Sequence, residues 1–85
     1  MERGLSDIDT LIREEKRLTA VESYEDAWAD GRAAGIEAEI MAEAAIATAL
    51  TELSESSGDD AALQLIERMR ERLLAGEFKR ELSLH

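Results

Sequence analysis

The sequence predicts an all-α fold: a small three- or four-helix domain centred on an antiparallel helical hairpin that dimerises into a helical bundle. Three observations predict it. None of the 85 residues is proline, so helices are punctuated only by glycine and by Ser, Thr and Asp caps. Apolar residues recur at steps of three and four, the spacing of one helix face, and no segment shows the alternation of a strand. Gly35, Gly58 and Gly76 each follow a periodic segment, and glycine is the residue best suited to end a helix.

From the N-terminus, Ser6 followed three residues later by Asp9 reads as a variant capping box. It opens a helix over 7–19 that turns Ile8, Leu11, Ile12 and Leu18 inward. Residues 1–20 form an N-terminal helix peripheral to the core, because they carry few apolar positions and chain ends are often loosely held. Ser23 and Asp26 repeat the capping signal and open a short helix over 24–34, with Tyr24, Ala27, Trp28 and Gly31 on one face. The link Thr19-Ala20-Val21 fits a kink or a continuous helix equally well. Gly35 is placed as the left-handed residue that closes this segment.

The core hairpin pairs 37–56 with 60–75. Asp59 or Asp60 caps the second of these helices, whose Ala62, Ile66, Met69 and Leu73 follow a 4-3-4 spacing. A tail over 77–85 holds Phe78, Leu82 and Leu84. All elements belong to a single helical domain, 1–85.

The stretch GIEAEIMAEAAIATAL, residues 35–50, has six alanines and no basic residue. At about 100° per residue, Ile36, Ile40, Ala47 and Leu50 form one apolar seam, widened by Ile46 and Leu53. Ala38, Ala42, Ala45 and Ala49 form a second seam on roughly the opposite side. A helix that is apolar on two sides is a central one, and small side chains let a neighbouring backbone come close. Alanine is also the strongest helix former. The second seam is therefore the candidate contact with a symmetry mate.

Composition supports self-association. Of the 38 hydrophobic residues, 14 are alanine, and a chain of this size buries only roughly 60% of its unfolded surface. With no cysteine, disulfides and thiolate metal sites are excluded, which leaves oligomerisation to enlarge the core. The absence of cysteine, of an apolar run near the ~18 residues of a membrane span and of a signal-peptide core predicts a cytoplasmic location with no membrane partner.

The formal charge of −10 is unevenly spread. Residues 1–34 hold nine acids and five bases, 35–60 seven acids and no base, and 61–85 four acids and five bases. Direct nucleic-acid binding through a broad basic surface is disfavoured, since phosphate neutralisation dominates that affinity. The acidic middle segment reads first as a solvated face.

Chemistry-bearing constellations are sparse. The lone histidine is His85, and no serine has a recognisable base partner, so the sequence predicts no catalytic residue, no cofactor and no enzyme. Glu39 and Glu43 fall within the large-residue seam, one turn apart. They are expected to pair with Arg32, Arg68 or Arg72, because unpaired buried carboxylates are costly. A metal role is disfavoured by the lack of a Glu-x-x-His partner. Arg68, Arg70 and Arg72 alternate in position, so they point to different faces and read as ion-pair donors to Glu67, Glu71 and the acidic helix rather than as an anion clamp. Tyr24 and Trp28 are core anchors or, alternatively, interface anchors, a role these residue types favour. Arg13, Lys16 and Arg17 beside Ile12 and Leu18 suggest a membrane-surface helix, which the interspersed Glu14 and Glu15 weaken.

The expected function is a non-enzymatic protein-interaction module, a small regulator or adaptor that acts as a homo-oligomer on a protein partner. The alternative is an acidic inhibitor that mimics nucleic acid and occupies the site of a DNA-binding protein. Such a mimic would display its acids as a ladder at phosphate-like spacing.

Overall fold

A computed structural model describes residues 3–79 of the chain, with side chains from residue 7. It is all-α: α1 runs over Arg3–Ala33, α2 over Ala38–Ser57 and α3 over Asp59–Leu74. The chain divides into two compact units, Met1–Glu43 and Ala44–His85.

In the first unit the two expected N-terminal helices are one. α1 passes through Thr19-Ala20-Val21 without a break, and both capping signals lie inside it. The Ser23 hydroxyl donates to the Thr19 carbonyl 3.1 Å away, one turn back, instead of to a helix start. Each new helix needs a costly nucleus while extension adds one hydrogen bond per residue. Running on through three residues of ordinary propensity therefore wins over stopping and restarting. Residues 24–34 include the last turns of this helix.

α1 ends as Gly35 requires. Gly35 has φ 83°. The Ile36 amide donates to the Gly31 carbonyl at 3.0 Å and the Gly35 amide to that of Arg32 at 3.0 Å, a Schellman closure. The chain turns directly into α2, whose Met41 side chain lies on Gly31. A Cβ added at Gly31 would stand 2.5 Å from Met41 Cε. Gly31 is buried, and Met41, Ala42 and Trp28 are half-buried.

In the second unit α2 continues to Ser57 and a single residue, Gly58, separates it from α3. Gly58 is the N-cap of α3, with φ 92° and ψ 163°. That conformation is essentially open only to glycine. The expected cap at Asp59 or Asp60 is therefore corrected: both aspartates lie in the first turn of α3, where a negative charge favours the helix dipole without capping it. Beside Gly58, Ala62 is buried at 6% exposure, and Leu50, Leu53, Ser54, Ala61 and Leu65 are half-buried.

α3 closes by the same device as α1. Gly76 has φ 81°, with the Glu77 amide on the Arg72 carbonyl and the Gly76 amide on that of Leu73, both at 3.1 Å. Leu82, Leu84 and His85 lie outside the described residues.

Candidate functional site

Exposed apolar side chains are the main surface feature of both units. In the first unit, Ile8, Leu11, Ile12, Leu18 and Val21 on α1 are exposed, although the sequence turns the first four inward. In the second, Ile46, Leu63, Ile66, Met69, Leu73, Leu74 and Phe78 are exposed. Among the described residues Ala62 is the only buried apolar side chain.

The candidate interface residues are spread over this surface. Ala42 and Ala45 are half-buried, whereas Ala38 and Ala49 are exposed. Tyr24 is 65% exposed, while Trp28, one turn further on, is half-buried. Trp28 sits three residues before Gly31 on α1, next to the contact with Met41.

Of the residues expected to form an ion-pair network, the structure describes partners for Arg72. Within the first unit, Glu39 and Glu43 form no ion pair with Arg32 among the described residues. Arg72 engages Glu77: Arg72 Nε donates to Glu77 Oε1 at 2.7 Å, and the guanidinium lies 4.9 Å from the Phe78 ring centroid. Glu77 follows Gly76, so this bridge spans the two ends of the Schellman turn, where an apolar contact commonly sits. Sequence reading missed this clasp because it paired Arg72 with glutamates on helices. The signal was Glu77-Phe78 placed directly after the helix-ending glycine.

On α1 the Arg17 guanidinium binds the Glu14 carboxylate one turn earlier, with Nε 3.2 Å from Oε2. The hydrogen bond and the adjacent charge hold the Glu14 carboxyl below its usual range and raise Arg17 further. Both groups are exposed, so the pair contributes little stability. Thr10, Arg13, Glu14, Lys16 and Arg17 border a shallow hollow. All of its walls come from one helix, so it offers no enclosed space for a small molecule.

Among the described residues no group of three His, Cys, Asp or Glu side chains could hold a metal ion. No helix among them is long and apolar enough to cross a membrane. Comparison with protein-family models, with curated proteins and with solved structures found no match to this chain.

Proposed function

We propose that this chain is a non-enzymatic protein-interaction module that acts as a homo-oligomer, a small regulator or adaptor built on α2 and α3 as an antiparallel hairpin that doubles into a helical bundle. One observation carries the reading: the apolar side chains of both units stay largely open, with Ala62 the single buried one among the described residues. Burial contributes about 25 cal/mol per Å² of apolar surface, and a second chain is the nearest source of that burial for a domain of this size.

The acidic-mimic reading draws on α2, where Glu39, Glu43, Glu52 and Glu55 are all exposed. Between Glu43 and Glu52, however, eight consecutive residues carry no charge. At 1.5 Å rise per residue that gap spans about 12 Å or more of helix. A phosphate ladder would be broken there, which favours the interaction module.

Sedimentation velocity from low to high micromolar concentration tests the proposal. The expected result is a species heavier than the 9.4 kDa monomer whose population rises with concentration. A monomer across the whole range would overturn it.

A further inference from the structure

One residue parts α2 from α3, and the helical hydrogen-bond ladder reaches that residue from both sides. The Gly58 amide donates to the Ser54 carbonyl at 2.9 Å, as the next residue of α2 would. The Gly58 carbonyl accepts from the Ala62 amide at 3.4 Å, as the first residue of a longer α3 would. Between these bonds fall the carbonyls of Glu55, Ser56 and Ser57, which end α2, and the amides of Asp59, Asp60 and Ala61, which begin α3. The break lies in two dihedrals of Gly58, φ 92° and ψ 163°. Turning them to about −63° and −42° joins α2 and α3 into one helix over 38–74. Glycine adopts both conformations, and no proline stands in the way.

The apolar pattern runs through the break in phase. Ile46, Leu50, Ser54, Gly58, Ala62 and Ile66 stand four residues apart, an unbroken i+4 row of the joined helix. Leu53, Leu65 and Met69 lie on the row beside it. At about 100° per residue, Glu52, Glu55, Asp59 and Asp60 fall on the far side of this ridge. Coverage is concentrated at the turn, where Ala62 is buried and Leu50, Leu53, Ser54, Ala61 and Leu65 are half-buried. In the hairpin proposed above, α2 and α3 of one chain cover these residues for each other. In the joined helix they are bared, and the segment that matches them is the same one from another copy. Antiparallel pairing about Gly58 sets Leu50 opposite Ile66 and Ser54 opposite Ala62, whether the two helices belong to one chain or to two.

We propose that Gly58 is a hinge through which two copies of this chain exchange α3. The joined helices of the two copies pair antiparallel, and each α3 covers the other copy's α2. The exchange re-forms the contacts of the hairpin and adds backbone hydrogen bonds from Asp59, Asp60 and Ala61 in each chain. Against it stand a glycine inside a helix and the motion lost on association, so the exchanged form grows with concentration. The inference rests on the homo-oligomer reading and assigns the way the copies join.

A distance measured within one chain tests it. The chain has no cysteine, so spin labels can be placed at Ala44→Cys and Glu71→Cys, both exposed positions. The doubly labelled chain, diluted into excess unlabelled parent, is read by double electron–electron resonance. In the hairpin, axes ~8–10 Å apart hold the two sites about 15 Å from each other. In the joined helix, the 27 residues from 44 to 71 set about 40 Å. The long distance should rise with total protein concentration, in step with the dimer seen by sedimentation. Alanine at position 58 strains the turn and suits the helix. In Gly58→Ala the long distance should therefore dominate at concentrations about tenfold or more lower.

A dimer that keeps the short distance overturns the hinge and leaves the homo-oligomer reading standing. A long distance that does not change with concentration also overturns it, since the chain then straightens without a partner. So does a Gly58→Ala chain that folds but needs the parent's concentration to lengthen. Where Gly58→Ala does not fold, the parent's concentration series decides alone. A parent and a Gly58→Ala chain that both stay monomeric remove both readings.

Discussion

Replacing Gly31 by alanine sets two opposed effects against each other at one atom. Alanine is favoured over glycine in a helix by up to about 1 kcal/mol. The gain is smaller here because Gly31 lies two residues before the end of α1 at Ala33. Against this, the new Cβ would stand 2.5 Å from Met41 Cε, while carbon atoms rest at about 3.5–4.0 Å. The methionine terminus must therefore retreat by about an ångström or more. The atoms in the way belong to the flexible end of an unbranched side chain, so Met41 can swing aside, at the low end of the roughly 1–3 kcal/mol typical of overpacking. The net expectation is destabilisation of about 0.5–1 kcal/mol. With Met41 already cut back to alanine, the obstacle is gone and the propensity term acts alone. Gly31→Ala should then stabilise by a few tenths to about 1 kcal/mol. Urea unfolding, followed by helix content and by Trp28 fluorescence one turn away, measures all four members of this cycle. The coupling energy should be about 1–2 kcal/mol. Equal effects of Gly31→Ala in the two backgrounds would refute the Gly31–Met41 contact as the join between α1 and the start of α2.

Three further outcomes follow from the backbone, the alanine seam and the Glu14 carboxylate. Alanine at Gly35 or Gly76 meets no atom within 4 Å, so each change should cost only the left-handed strain of about 1–2 kcal/mol. Gly58→Ala should cost more, up to about 3 kcal/mol, because its φ and ψ lie where non-glycine residues are scarcely found; thermal melts rank the three, and equal losses would contradict the assigned conformations. Ala42→Leu and Ala45→Leu, at half-buried positions, should lower stability or assembly by about 1–3 kcal/mol, whereas Thr48→Leu at an exposed position should stay within about 0.5 kcal/mol. If both alanine variants assemble normally and melt higher than the parent, the seam is not a close contact. The Glu14 carboxyl, held low by Arg17, favours the folded helix above its ordinary value of 4.5, and that small contribution disappears as pH falls through the depressed folded value. In a carboxylate titration followed by NMR, Arg17→Gln should move Glu14 back toward its ordinary midpoint; an unmoved midpoint would remove the pair.

Features that depend on local chemistry were legible in the amino-acid order. The absence of proline, the three- and four-residue spacing and the wealth of alanine pointed to the three helices of the described residues, because helix formation answers to propensity and backbone hydrogen bonding within a few residues. The helix-ending roles of Gly35, Gly58 and Gly76 were legible for the same reason: positive φ is a property of one residue, and glycine alone bears it cheaply. Capping was less legible. Ser6, Ser23, Asp59 and Asp60 all have the right composition, yet α1 runs through both serines and Gly58 takes the cap of α3. A cap contributes about 1 kcal/mol, and the cooperativity of a long helix or the geometry of a one-residue turn outweighs that. Which apolar residues are covered depends on the folded chain. Met41 on Gly31, Ala62 beside the Gly58 turn and Arg72 folded over Glu77 and Phe78 join residues whose spacing says nothing of their meeting, since each contact depends on where a turn sends the chain. The open stretches of α1, α2 and α3 belong with these, because a helical stripe looks the same in sequence whether its own fold or another chain covers it.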